Sequence, residues 1–275
     1  MSTVYATAAE FTRHPTNLSV DKLIPTGTAA ENAAELSMIM QLASSYVEQI
    51  TYQPLYARTI TNEMSRCRPD GAGLLPVRLR YFPICSVTSA SWRQYPTQNF
   101  NTINIANVDI FPDLADGHQF VAGDINYGGF YGWGQPRLVV QSTYVAGYPN
   151  AVLTAACSAG DTSLTLDTTV GMAAGTVLAI YDGVSQENVT VSSVTSSTVV
   201  ALDAAAQYGH AIGVRVSSLP PAIAIATIYL AAWMIKERRA GGGFVMQGKV
   251  QGLDTRTSED VQMAKENLKP YIRVV

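Results

Sequence analysis

The stretch Leu219-Pro220-Pro221-Ala222-Ile223-Ala224-Ile225-Ala226-Thr227-Ile228-Tyr229-Leu230-Ala231-Ala232-Trp233-Met234-Ile235 decides the fold. The prolines suit the first turn of a helix, where amides have no intrahelical partner. The following run from Ala222 to Ile235 is apolar on every side, so the helix has no face to show water and must be enclosed. Its 14 residues fall short of the roughly 20 that a bilayer requires. Lys236-Glu237-Arg238-Arg239 and then Gly241-Gly242-Gly243 supply the expected stop, with cations near the last carbonyls and glycine beyond.

Working outward, a short helix is predicted over 258–268. Thr257 to Asp260 has capping-box spacing, Val261, Ala264 and Leu268 form one face, and Pro270 stops it. Upstream, a long helix is predicted over 29–51. Thr28-Ala29-Ala30-Glu31 reads as a capping box, Leu36, Ile39, Met40, Ala43, Val47 and Ile50 recur every three or four residues, and Pro54 closes the segment.

Between these helices the period changes from helical to alternating. Strands are predicted from 58, over 77–81, 87–92, 103–110 and 138–145. Val77-Arg78-Leu79-Arg80-Tyr81 alternates strictly, which puts Arg78 and Arg80 on one face. Five further strands are predicted over 163–166, 176–181, 187–194, 198–202 and 212–216, separated by turn signals at Gly160-Asp161, Asp182-Gly183 and Tyr208-Gly209.

Charge marks the boundaries. Residues 1–150 hold 9 basic and 11 acidic side chains, 151–217 hold 1 and 5, and 218–275 hold 8 and 5. The middle block is read as a separate small all-β barrel or sandwich inserted between 1–150 and 218–275. The fold class is α+β: a helical core with a small β-element and this inserted domain. Excision of 151–217 is expected to leave a folded host, because a domain set into a loop disturbs its host little.

Of 275 residues, 47% are hydrophobic and only 14% charged, against a usual charged share of about 25%. An exterior so poor in charge fits a protein covered by copies of itself or by partners. The formal net charge of −3 excludes a strongly basic, sequence-reading nucleic-acid binder. Cys67, Cys85 and Cys157 have no metal or disulfide spacing and read as reduced thiols of a cytosolic product. The first ten residues lack the pattern of a signal peptide.

Gly243 to Val250 lacks the hydroxyl residue that a P-loop places after its lysine, because Val250 follows Lys249. The aspartates between Asp113 and Asp124 do not alternate as a calcium loop requires. His14, His118 and His210 are isolated in sequence, and His210, in a turn, is expected to be solvated. No Gly-x-Ser-x-Gly elbow is present. No catalytic, metal or cofactor-binding residue is nominated, and no enzyme activity is expected. The glycine and aromatic loop over 127–134 reads as a surface turn or subunit contact, with ligand stacking as the alternative.

With the segments in order, the chain resembles the head–tail connector (adaptor or head-completion) proteins that stack as a ring beneath the portal of tailed bacteriophages. Four pieces carry the likeness: the early helix followed by Tyr52-Gln53-Pro54; Leu79-Arg80-Tyr81-Phe82-Pro83-Ile84-Cys85-Ser86-Val87; Ser142-Thr143-Tyr144-Val145-Ala146-Gly147-Tyr148; and Leu219-Pro220-Pro221 with its helix and the closing Leu268-Lys269-Pro270-Tyr271-Ile272-Arg273. The block 151–217 is a departure from that pattern. The resemblance implies a virion protein of the neck, made in the host cytoplasm, forming a homo-oligomeric ring of about twelve copies. Its implied partners are the portal, a downstream neck or tail protein and the genomic DNA passing through the bore, with no membrane and no cofactor. It also implies terminal segments that grip neighbours, which nominates Lys265, Lys269, Tyr271 and Arg273 as interface residues, a solvated amphipathic helix being the alternative. Arg78 and Arg80 would face a neighbouring subunit or the bore. Alternatives to the connector are a tail-completion or stopper protein, a binding module whose β-block holds a fibre or capsid partner, and a small virion hydrolase.

Overall fold

The computed structural model describes residues 4–69, 74–111, 119–123, 137–239 and 258–273. In chain order the described elements are α1 (Ala8–Arg13), α2 (Ala29–Thr51), β1 (Arg58–Cys67), β2 (Leu75–Arg78), β3 (Ile84–Arg93), β4 (Asn101–Ile103), β5 (Val108–Phe111), β6 (Gln119–Ala122) and β7 (Leu138–Ala146). They continue with β8 (Asn150–Val152), β9 (Ser163–Thr165), β10 (Val177–Ile180), β11 (Glu187–Val194), β12 (Val199–Leu202), β13 (Arg215–Ser217), α3 (Pro221–Arg239) and α4 (Glu259–Leu268). The fold is α+β, with four α-helices and three antiparallel sheets among the described residues.

The chain divides into two compact units. One comprises Met1–Pro54, Asn150–Thr169 and Ala173–Val275; the other comprises Leu55–Pro149 and Val170–Met172. The low-charge β-block therefore groups with the helices, while the strands of 55–149 form a body of their own.

In the first unit, α2 begins at the predicted capping box: Thr28 Oγ1 accepts from the Glu31 amide at 3.3 Å, and the Thr28 amide donates to Glu31 Oε2 at 2.7 Å. Those bonds hold the Glu31 carboxyl below its ordinary value. The helix ends where Tyr52 takes a left-handed conformation, φ 56°. Leu36, Ile39, Met40, Ala43 and Val47 are buried, as the periodicity requires. Trp233 of α3 stacks on Tyr46 of α2, and α3 is enclosed from Ala222 to Ile235, with Ile223, Ala226, Leu230, Ala231 and Ile235 at most 1% exposed. At about 1.5–3 kcal/mol for each large side chain buried, this helix is a principal source of stability. No described helix is long and apolar enough to cross a membrane. Helix α4 packs beside α3, where Lys236 Nζ lies 2.7 Å from Asp260 Oδ2. Helix α4 starts at Ser258, which makes no side-chain cap bond; the expected second capping box includes Thr257, which lies outside the described residues.

The β-block is a six-stranded sheet in the order β8-β13-β10-β11-β12-β9. Its two end strands meet through the Leu153–Leu166 bridge, Thr154 N to Thr165 O at 3.0 Å and Asp167 N to Val152 O at 3.0 Å. The sheet thus curls round on itself, the barrel solution to exposed edges. Leu164, Leu178, Ile180, Val191, Val200 and Val216 fill it. Strand β8 carries no sequence signal of its own, since three residues cannot establish a period.

In the second unit, sheet β1-β7-β3-β4 and sheet β2-β6-β5 share a core of Leu75, Val77, Leu79, Val87, Phe120, Leu138, Val140 and Tyr144. Strand β7 alternates buried and half-buried residues along its whole length. The strand predicted over 103–110 is divided: a 3-10 turn at Ile105–Asn107, capped by Asn104, separates β4 from β5. Two of the quoted motifs and the segment Leu55–Ala57 converge on Gly147. Its amide donates to Pro83 O at 2.8 Å, the Tyr148 amide donates to Leu55 O and the Ala57 amide to Tyr148 O, each at 2.7 Å. Gly147 has φ +107°, and a Cβ there would collide with the Tyr56 carbonyl, so only glycine fits.

Candidate functional site

The densest polar cluster lies in the first unit and is built on the N-terminal segment. Thr7-Ala8-Ala9-Glu10 repeats the tetrapeptide of Thr28-Ala29-Ala30-Glu31 and caps α1 in the same way, with Thr7 N to Glu10 Oε2 at 2.7 Å and Glu10 N to Thr7 Oγ1 at 3.2 Å. Glu10 does a second job. Its carboxylate receives the guanidinium of Arg215 on β13, Nη2 to Oε1 at 2.6 Å and Nε to Oε2 at 2.9 Å. The Arg215 side chain is fully buried and lies 3.8 Å over the Tyr181 ring. Planarity suits arginine to this paired and stacked position.

One helical turn later, Arg13 Nη2 reaches Asp182 Oδ1 at 3.4 Å. The other Asp182 oxygen faces His210 Nδ1 at 3.3 Å, and His210 Nε2 faces Glu187 Oε1 at 2.7 Å. Glu187 also accepts from the amides of Gln207 and Tyr208 at 2.8 and 3.1 Å. Burial acts to raise the Glu187 carboxyl, but those amides and the ring outweigh it and hold the group below its ordinary value. The expectation of a solvated His210 is overturned. The residue is 3% exposed because its backbone pairs with Cys157 and draws the ring inward between two acids.

Cysteine, histidine and carboxylates thus converge, as nucleophilic chemistry would need. The arrangement does not provide that chemistry. Both ring nitrogens of His210 are engaged by carboxylates, which leaves neither to take a proton from Cys157. Burial, then the charges of Asp161 and Glu187, push the Cys157 thiol upward, away from the reactive thiolate. No group of three or more His, Cys, Asp or Glu side chains suited to a metal occurs among the described residues. The cluster fastens the N-terminal segment to the β-block through Arg13–Asp182 and Glu10–Arg215. The same segment grips the helices through Tyr5 N to Ser44 Oγ at 3.1 Å, Tyr5 Oη to Glu48 Oε1 at 2.7 Å and the edge contact of His14 on Tyr229.

The nominated interface residues fall in two places. Lys265 is half-buried on α4; Lys269 is exposed and Tyr271 half-buried in the 3-10 turn that follows; Arg273 is half-buried beyond it. This tail is anchored to its own chain, with Arg273 N to Thr51 O at 3.0 Å and Gln53 Nε2 to Tyr271 O at 3.2 Å. Burial pushes the Tyr271 phenol up. Arg78 and Arg80 belong to the other unit. Both are exposed and alternate with buried Val77 and Leu79, as the pattern predicts. Their backbones are held against β1 by Ser65 Oγ to Arg78 O and by Arg80 N to Glu63 Oε1. The loop 127–134, the segment Gly243 to Val250 and most of Asp113 to Asp124 lie outside the described residues.

One surface has the character that the composition implies. The outer side of α2 presents Ala33, Ala34, Ser37, Met38, Gln41, Leu42 and Ser45, all exposed and none charged. Met38 and Leu42 are 46% and 38% exposed. Sequence reading found the buried stripe of this helix but missed its uncharged back, the N-terminal clamp and Arg215. The repeated Thr-Ala-Ala-Glu and the lone basic residue of 151–217 were the available signals.

No known family model, curated protein or solved structure matches the chain.

Proposed function

We propose that this chain is a virion structural protein that forms a ring between portal and tail, joining the two and conducting the genome. The observation that carries the reading is the back of α2, where the seven exposed residues between Ala33 and Ser45 are all uncharged and the one charged residue of that stretch, Glu35, is half-buried. Exposed helices ordinarily place charged residues there, and a surface depleted in charge with methionine and leucine at its centre suits burial against another protein. The order of the four motifs and the low overall charge point the same way. A net charge of −3 suits a channel through which DNA slides without being gripped.

Native mass spectrometry and sedimentation of the purified chain, alone and with its portal, test the reading. Discrete rings or a portal-bound assembly are expected. A strict monomer in both conditions, or particles whose neck lacks the protein, would overturn it.

A further inference from the structure

We propose that residues 4–14 form a strap that opens as a unit, and that the surface beneath it is a binding site for an acidic peptide segment, which Glu10 occupies in the closed state. The inference goes beyond the ring reading and does not depend on it.

The surface is the outer face of β8 and β13. Val216 fills the barrel, so its neighbours Arg215 and Ser217 point outward, and the register sets Ser217 opposite Asn150. Outward polar residues are ordinarily solvated, yet Arg215 and Asn150 are 1% and 5% exposed, because the strap bonds to both. Arg215 is the one basic residue of 151–217. Its guanidinium lies over the Tyr181 ring and takes a carboxylate through two bonds, the geometry by which arginine recognises acidic side chains. In the closed state that carboxylate is Glu10. The strap adds two aromatic anchors, Tyr5 and Phe11, both 0% exposed, and the Val4 carbonyl, which accepts from Asn150 Nδ2 at 2.9 Å. The strap thereby shows what fits the site: a segment with an acidic residue beside an aromatic, as in Glu10-Phe11.

The strap is an incomplete occupant. Arg215 Nη1, Asn150 Oδ1 and His14 Nδ1 are buried without a hydrogen-bond partner among the described residues. Unpaired buried polar groups cost free energy, so closure works against a penalty. A cleft of about 360 Å³ between Ala8, Ala9 and Thr12 of α1 and Ala29, Ala33 and Leu36 of α2 leaves one edge of the strap unsealed. The outer tie, Arg13 to Asp182, spans 3.4 Å with the arginine half exposed, and such surface pairs contribute little.

The chain is also jointed for lifting. Residues 14–28 contain no helix or strand. Asn32 fixes the far part of this segment through Asp21, Ile24 and Gly27, which confines movement to 15–20, where Asn17 has φ 56°. Six extended residues span roughly 20 Å, enough to clear the site. Helix α2 keeps its start when the strap lifts, since Thr28 and Glu31 cap it alone.

The experiment uses the full chain. Amide hydrogen exchange of the wild type, read by mass spectrometry, should show residues 4–14 exchanging about tenfold or more faster than α3, as a segment that opens locally does. Equal protection would mean that the strap releases only on global unfolding, and overturns the proposal. A fluorescent peptide of residues 4–14 then probes the site. A covered site binds more weakly in proportion to the fraction of time it is open. Glu10→Gln removes the chain's own carboxylate, so this variant should bind the peptide about tenfold or more tightly than wild type does. Adding Arg215→Met should abolish that gain, with circular dichroism checking each fold. Wild type should also prefer the acidic peptide to one with Gln in place of its Glu, a comparison that needs no variant. Equal binding of the two peptides, or a gain that survives Arg215→Met, overturns the site.

Discussion

Arg215 and Glu10, separated by 205 residues in sequence, form a bidentate ion pair in which the arginine is fully buried and the glutamate simultaneously caps α1. One carboxylate thus couples helix nucleation at the N-terminus to the last strand of the β-block. The coupling is asymmetric. Removing Glu10 strands a buried cation, whereas removing Arg215 leaves Glu10 with its capping bonds and partial access to water. Glu10→Ala is therefore expected to cost about 3–5 kcal/mol and Arg215→Met clearly less, with the double variant better than the sum of the two. Urea denaturation of the three variants measures this; equal single costs that simply add would contradict it.

Removal of residues 151–217 takes Arg215 from Glu10 and Asp182 from Arg13 together. The helical unit is expected to lose its cooperative transition, while the β-signal of 55–149 persists. Thermal melts followed by circular dichroism at helix and strand wavelengths decide the point. Two intact cooperative transitions would mean that the block is a detachable insertion, as its composition suggests.

Gly147→Ala introduces a side chain at φ +107° against the Tyr56 carbonyl. The three segments that meet there must separate, at an expected cost of about 3 kcal/mol or more. A drop in the urea midpoint is the readout, and a change under 1 kcal/mol would show that the backbone at this junction relaxes.

Glu187 titrates below its ordinary value of 4.5 in the folded chain. A carboxyl depressed by folding adds stability at pH values above its unfolded range, and that contribution disappears as pH falls through the folded value. The wild-type urea midpoint should hold above about pH 5 and decline below it, and Glu187→Gln should flatten that decline. Parallel pH series on the two proteins test this. Identical acid limbs would refute it.

The thiols should be inert in the native state. Burial pushes Cys67 up to about 12 and Cys85 up to about 11, and Cys157 is also raised. Reaction with an aromatic disulfide at pH 8 is expected to be slow when folded and rapid for all three after denaturation. Fast labelling of the native chain would show that a thiol is accessible.

Sequence alone determined what depends on near neighbours. The limits of α2, the enclosure of α3 and the alternation of Val77, Arg78, Leu79 and Arg80 follow from period, caps and helix stops within a few residues of each other. A compositional boundary near 150 was also legible, since loss of charge needs no fold to be seen. The interpretation of that boundary was not legible. Only the tertiary structure decided that β8 to β13 share a unit with the helices, because the bonds responsible run from Arg13 to Asp182 and from Arg215 to Glu10. It likewise decided that His210 is buried, which depends on a backbone bridge to Cys157 across 52 intervening positions of chain. Local interactions are written in local patterns; ion pairs between distant segments leave no period in either one, and they exist only once the chain has closed around them.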